Sequence, residues 1–214
     1  VAERTGHASM DDLANILYTS GTTGEPKGVL LHHSTYEEII RIHDIRLTEM
    51  TDKDVSMSFL PLTHVFERAW TYYCLHKGVV VCLNLKPAEI ASTIKEVRPT
   101  LMCSVPRFWE KVYAGVNEKI ASEKGIKKSL MLDAIRVGKT HNLDYVRLGK
   151  RPPLMLHLKY KFYEKTIYAL LKKTIGIENG NFFPVAGAAV PDEICEFVHA
   201  VGINMIVGYG LTES

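Results

Sequence analysis

A mainly parallel β-sheet covered by helices, an α/β fold, is what this sequence predicts. Short β-branched or apolar runs alternate with longer stretches of helical periodicity. The strand–helix–strand order then repeats along the chain, and parallel neighbours need such crossovers. The first strand candidate, residues 15–19, leads into a glycine-rich loop, and the second, 29–31, follows it. A helix is expected over 35–47, where Ser34 followed by Glu37 reads as a capping box. Strand 56–60, helix 65–76 and strand 79–83 come next, then helix 88–97, closed by Pro99. Strand 101–105 precedes a long interruption, after which strand 182–186, helix 192–201 (closed by Gly202) and strand 204–207 resume the alternation.

The interruption, residues 107–173, has no convincing strand and reads as a helical insertion broken at Gly125, Gly149 and Pro152-Pro153. Its last part is lopsided in charge. Residues 147–173 hold eight basic side chains and one acid, Glu164, so this segment carries +7 and the rest of the +2 chain carries −5. No internal repeat or low-complexity tract is visible.

Composition excludes several classes. With 214 residues, 46% hydrophobic and 23% charged, the chain can bury a sizeable core and is not a disordered type. A net charge of +2 makes no case for nucleic acid. Cys74, Cys82, Cys103 and Cys195 lie far apart, without C-x-x-C spacing, which argues against zinc and for a reducing, cytoplasmic setting. The longest apolar runs are strand-sized, and no leader segment is evident. His32-His33 has no companion ligand at useful spacing and reads as structural, as do His43 and Trp70 on helix faces.

The strongest chemical signal is Tyr18-Thr-Ser-Gly-Thr-Thr-Gly-Glu-Pro-Lys-Gly-Val29. Its glycines let backbone N–H groups approach an anion, its hydroxyls donate to phosphate oxygens, and Lys27 supplies a compact positive charge. It is not a G-x-x-x-x-G-K-[ST] loop, because Pro26 precedes Lys27. By composition alone a phosphate loop and a polar surface turn are both open. The sequence also lacks a G-x-S-x-G nucleophile elbow.

The whole string resembles the signature loop of the adenylate-forming superfamily, which includes acyl-CoA synthetases, luciferases and peptide-synthetase adenylation domains. Leu60-Pro-Leu-Thr-His-Val-Phe-Glu67 is similar to that family's second core motif, Tyr209-Gly-Leu-Thr-Glu213 to its aromatic–Gly-x-Thr-Glu motif, and residues 185–189 to its adenine loop. The resemblance implies that Thr19, Ser20, Gly21, Thr22, Thr23, Gly24 and Lys27 grip the β- and γ-phosphates of ATP. It implies that Gly187, Ala188, Ala189, Tyr209 and Gly210 surround adenine, that Thr212 meets the α-phosphate, and that Glu213, with Thr22, ligates Mg²⁺. His64, Lys27, Thr212 and Glu213 would serve the reacting centre. The adenine loop departs from the common Ser-Gly-Gly-Ala-Pro-Leu: here it is Ala186-Gly-Ala-Ala-Val-Pro191, small but lacking the serine hydroxyl.

Within the superfamily, the Leu60–Arg68 stretch and Val105-Pro-Arg-Phe-Trp-Glu-Lys-Val-Tyr113, followed by helix, resemble bacterial long-chain fatty acid–CoA ligases. That implies fatty acid, ATP and CoA as partners, with no nucleic acid and with oligomers allowed. Adenylation of an aryl or amino acid and a non-catalytic nucleotide-binding module are the rivals. The basic 147–173 segment reads either as a solvated helix face or as a contact with the anionic inner face of a membrane. The family's ribose aspartate, hinge and C-terminal domain do not occur in these 214 residues, which read as part of its N-terminal domain. The isolated chain is therefore expected to be inert and prone to self-association at exposed edges; acyl-CoA formation by these residues alone would contradict that expectation.

Overall fold

Strands whose side chains are apolar on both faces must be covered on both faces. The computed structural model, which describes residues 7–19 and 24–213, shows how this chain does so. Its first element is an antiparallel hairpin, β1 (Leu13–Thr19) and β2 (Lys27–His32), in which Thr19 pairs with Lys27 across the connecting loop. Next come α1 (His33–Arg46), β3 (Val55–Ser58), α2 (Val65–His76), β4 (Val80–Leu83) and α3 (Ile90–Val97). The helical stretch that follows contains α4 (Pro106–Ser122), α5 (Gly125–Lys139), α6 (Leu154–Tyr163) and α7 (Ala169–Ile175). The chain then returns through β5 (Phe183–Val185), α8 (Asp192–Ala200) and β6 (Met205–Val207).

The parallel sheet expected from the sequence is present. β3 pairs with β4 and β5 with β6, both in parallel. The expected strand at 101–105 is the centre that joins these pairs, but it is not a continuous ladder. Leu101 bridges Ser56 and Phe182, and Ser104 bridges Val185, so the order is β4, β3, residues 101–104, β5, β6. Leu101, Met102, Cys103 and Ser104 are all fully buried, as a central strand requires.

The start of α1 differs from expectation. The helix begins at His33, so Ser34 lies inside its first turn, and no side chain caps it. Backbone carbonyls do that work instead: His33 N–H donates to Asp12 O at 3.1 Å and Ser34 N–H to Met10 O at 2.9 Å. Pro99 and Gly202 do follow the ends of α3 and α8.

Two indole N–H groups fasten helices to the sheet. Trp70 of α2 donates to Ser56 Oγ at 3.0 Å, and Trp109 of α4 donates to Ser104 Oγ at 2.9 Å. Ser104 Oγ in turn donates to the Pro184 carbonyl at 3.2 Å. Further out, a π-turn (Thr140–Tyr145) extends α5, and His141 within it stacks on Tyr160 with ring centroids 3.9 Å apart. Gly138 allows α5 to approach the end of α8, since a Cβ there would fall on the Ala200 carbonyl oxygen and the Tyr168 hydroxyl. A second π-turn (Glu164–Tyr168) links α6 to α7 without a break. The four cysteines are free thiols.

Ser104→Ala should lower the unfolding free energy by about 1–3 kcal/mol, because it leaves the buried Trp109 donor unpaired. Urea denaturation measures this; an unchanged midpoint would mean that the bond contributes nothing.

Candidate functional site

In an open parallel sheet, the loops leaving the carboxyl ends of the strands meet along one edge and form a crevice there. Here β3 runs out into residues 59–64, the central strand into Val105 and Pro106, β5 into residues 186–191, and β6 into residues 208–213. A cavity of about 1000 Å³ lies among these loops, with Thr19 at the end of β1 also on its wall. That volume is at the upper end of small-molecule sites and is ample for a nucleotide.

The cavity collects much of the predicted site. Thr19, His64, Gly187, Ala188, Ala189, Tyr209, Gly210, Thr212 and Glu213 all line it. Thr19 Oγ1 stands 3.5 Å from Glu213 Oε1, although 194 positions separate them in sequence. Tyr209 is 93% exposed, which rules out core packing as its role and leaves the ring at the rim. Gly187 takes φ +95°, a conformation that side chains resist, so its place in the small-residue loop is a backbone requirement. Lys27 and Gly24 are exposed and are not on the cavity wall. Ser20, Gly21, Thr22 and Thr23 lie outside the described residues.

His64 is the residue before α2 and its side chain makes no capping bond. Val105 holds the same place before α4. α2 thus starts at the cavity with first-turn N–H groups that no side chain caps, an arrangement that favours negative charge nearby, whereas α4 opens on Pro106, which has no N–H, and its Phe108 N–H donates to the Val105 carbonyl at 3.0 Å. His43 and Trp70, read from sequence as helix-face residues, also reach the wall. His43 Nδ1 is 2.7 Å from the Ile39 carbonyl, and Trp70 is packed beneath. His32 does have a structural role, with Nδ1 2.7 Å from the Asp11 carbonyl.

Glu67 was not singled out by sequence reasoning, which read it as one polar letter of a motif. It lies on the cavity wall with its side chain fully buried, and neither carboxylate oxygen has a hydrogen bond of normal geometry. Burial pushes its pKa up to about 7, and the nearby Ser58 hydroxyl offsets this only in part. Its place in the first turn of α2, just after the His64 that opens the helix, is the signal that could have found it. Behind it, burial holds the Cys74 thiol at about 12 and the Cys103 thiol well above its usual range. Both are protonated and poor nucleophiles.

The donor set suits Mg²⁺ bound with phosphate. Glu213 offers a carboxylate and Thr19 a hydroxyl, both hard oxygens, with room for phosphate and water oxygens to complete the shell.

Comparison with known proteins finds relatives over almost the whole chain. The sequence profile described as "AMP-binding enzyme" matches residues 2–214. A probable CoA ligase, CCL6, of Humulus lupulus is 31% identical over 210 residues, which covers 95% of this chain and 30% of that protein. Long chain acyl-CoA synthetase 4 of Arabidopsis thaliana is 29% identical, again over 95% of this chain and 30% of the relative. The chain therefore spans about 30% of the length of the curated relatives it matches. Among solved structures, the adenylation domain of a carboxylate reductase from Mycobacterium chelonae superposes with TM-score 0.67 at 20% identity, covering 95% of this chain and 27% of that one.

A carboxyl group that ionises less readily when folded makes stability fall as pH rises. Folding favours the protonated Glu67, so its contribution is complete below its ordinary 4.5 and is lost as pH climbs to about 7. Over that interval the wild type should lose on the order of 3 kcal/mol relative to Glu67→Gln. Parallel stability–pH curves for the two proteins would disprove the assignment.

Proposed function

This chain belongs to the AMP-binding enzyme family, and from that premise we propose that it is part of an ATP-dependent long-chain fatty acid–CoA ligase. The supporting observation is the convergence of sequence-distant segments, ending in Thr19, His64, Ala189 and Glu213, on one cavity at the carboxyl edge of the sheet. Named long-chain acyl-CoA synthetases among the relatives support the choice of acid.

In the proposed reaction a fatty acid carboxylate oxygen attacks the α-phosphorus of ATP. The α–β phosphoanhydride bond breaks, giving acyl-AMP and pyrophosphate. CoA thiolate then attacks the acyl carbon and AMP leaves. No protein nucleophile is required, which is consistent with the protonated thiols behind the wall.

The protein's task is to position the reactants and to stabilise negative charge. By the family resemblance residues 19–24 and Lys27 hold the β- and γ-phosphates, and of those described Thr19 is the one on the cavity wall. The small side chains of Gly187, Ala188 and Ala189 leave space for the base, with Tyr209 and Gly210 against it. Thr212 donates to the α-phosphate. His64, beside the uncapped start of α2, donates to the oxygens that gain charge. Mg²⁺ would be held by Glu213 with Thr22, and when bound it neutralises phosphate charge. Glu67, mostly protonated below about pH 7, then adds little negative charge beside the incoming carboxylate.

Acid-dependent pyrophosphate release by the full-length protein tests this reading, with palmitate, acetate, benzoate and mixed amino acids compared. Palmitate should be preferred, and Lys27→Ala or Glu213→Ala should cut the rate by about 10²-fold or more. Release with another acid alone would keep the adenylation and overturn the fatty acid. No release with any acid would leave a nucleotide-binding module without turnover.

A further inference from the structure

The helical run from α6 through the second π-turn to α7 has one face that nothing in the structure covers. Its exposed positions fall in pairs: 154 and 155, 158 and 159, 161 and 162, 165 and 166, 169 and 170, 173 and 174. They lie along one side of a helix roughly 33 Å long. An uninterrupted α-helix would turn that row by about 100° between positions 154 and 173, and the wider π-turn absorbs the drift.

The chemistry of the row is specific. Leu154, Met155, Leu158, Phe162 and Leu170 are each more than half exposed. The remaining positions hold four lysines, two threonines and an alanine, with no carboxylate. Glu164 sits to the side, only partly exposed, and is paired with Lys161 at 2.6 Å. Tertiary contacts trim the +7 counted along the sequence. Lys159 is paired with Asp133 at 2.7 Å, and Lys172 is turned inward to the Gly202 carbonyl at 2.6 Å. Lys165 and Lys173 on the row, with Lys150 and Arg151 just before it, make no ion pair among the described residues.

We propose that this face of α6–α7 docks on an anionic lipid bilayer. A solvated helix face has no reason to carry five large apolar side chains in register. A protein-covered face would ordinarily show carboxylates to balance the lysines. Apolar side chains sunk to the acyl boundary, with lysines reaching lipid phosphates, satisfy both parts of the row. No helix among the described residues is long and apolar enough to cross a membrane, and the contact proposed is along its surface. It does not depend on which acid the active site takes.

Flotation of the full-length protein with vesicles tests the proposal, comparing phosphatidylcholine alone with phosphatidylcholine containing phosphatidylglycerol. Recovery should require the anionic lipid, fall with added salt, and drop about fivefold for each of Lys165→Gln and Lys173→Gln. Phe162→Ser should lower it as well, with the circular dichroism spectrum and thermal midpoint unchanged. Absence of recovery with either vesicle, or equal recovery of the variants, would overturn the proposal. So would loss of self-association in Phe162→Ser without any change in vesicle recovery, which would mean that a second copy covers the face.

Discussion

The buried indole N–H is the constraint on which the frame of the cavity depends. An indole can only donate, and left unpaired in a core it costs about as much as a whole hydrogen bond is worth. Trp70 and Trp109 meet that demand in the same way, through serine hydroxyls on neighbouring strands of the sheet. Each bond fixes the tilt of a helix whose first turn opens on the cavity. Ser104 carries the link onward to β5 through the Pro184 carbonyl, so helix α4, the central segment and β5 are held by one short chain of bonds. The loops that leave those strands inherit their positions from it.

With that frame fixed, the carboxyl edge of a parallel sheet does the rest. Each strand delivers its following loop to the same side, so residues far apart in sequence meet without a dedicated scaffold. The edge is also electrostatically prepared. The uncapped start of α2 faces it, and Glu67, buried in its wall, has its pKa raised to about 7 by desolvation. Glu67 thus adds little negative charge below about pH 7, and among the described residues the other carboxylates on the wall are Glu110, paired with Arg107, and Glu213.

Much of this was legible in the sequence, for identifiable reasons. Alternation of apolar runs and helical periods is a local property, and it located the strands and the principal helices to within a few residues. The cavity residues His64, Gly187, Tyr209 and Glu213 were legible because each sits in a short stretch that resembles a motif of the adenylate-forming superfamily. What escaped depends on contacts made across the fold. Ser34 looks like a cap, but the carbonyls of Met10 and Asp12 reach the helix first. The central strand reads as continuous, yet only Leu101 and Ser104 bridge its neighbours. Glu67 reads as an ordinary polar residue at a helix start, because burial of its carboxyl is set by the packing of α2 against the sheet. The basic count of residues 147–173 overstated the exposed charge for the same reason: Asp133, far upstream, pairs with Lys159.

The π-turn between α6 and α7 holds about one residue more than an ordinary helical turn while keeping the same angular phase. Removing one residue from 164–168 would restore ordinary α-helical winding and leave everything beyond it facing as before relative to α6, because the lost residue and the tighter winding cancel. Single-residue insertions and deletions at this point are therefore absorbed rather than passed on as rotations. A homologue one residue shorter there would present the same outer surface, and an alignment that places its gap inside the turn would compare side chains that face in the same direction.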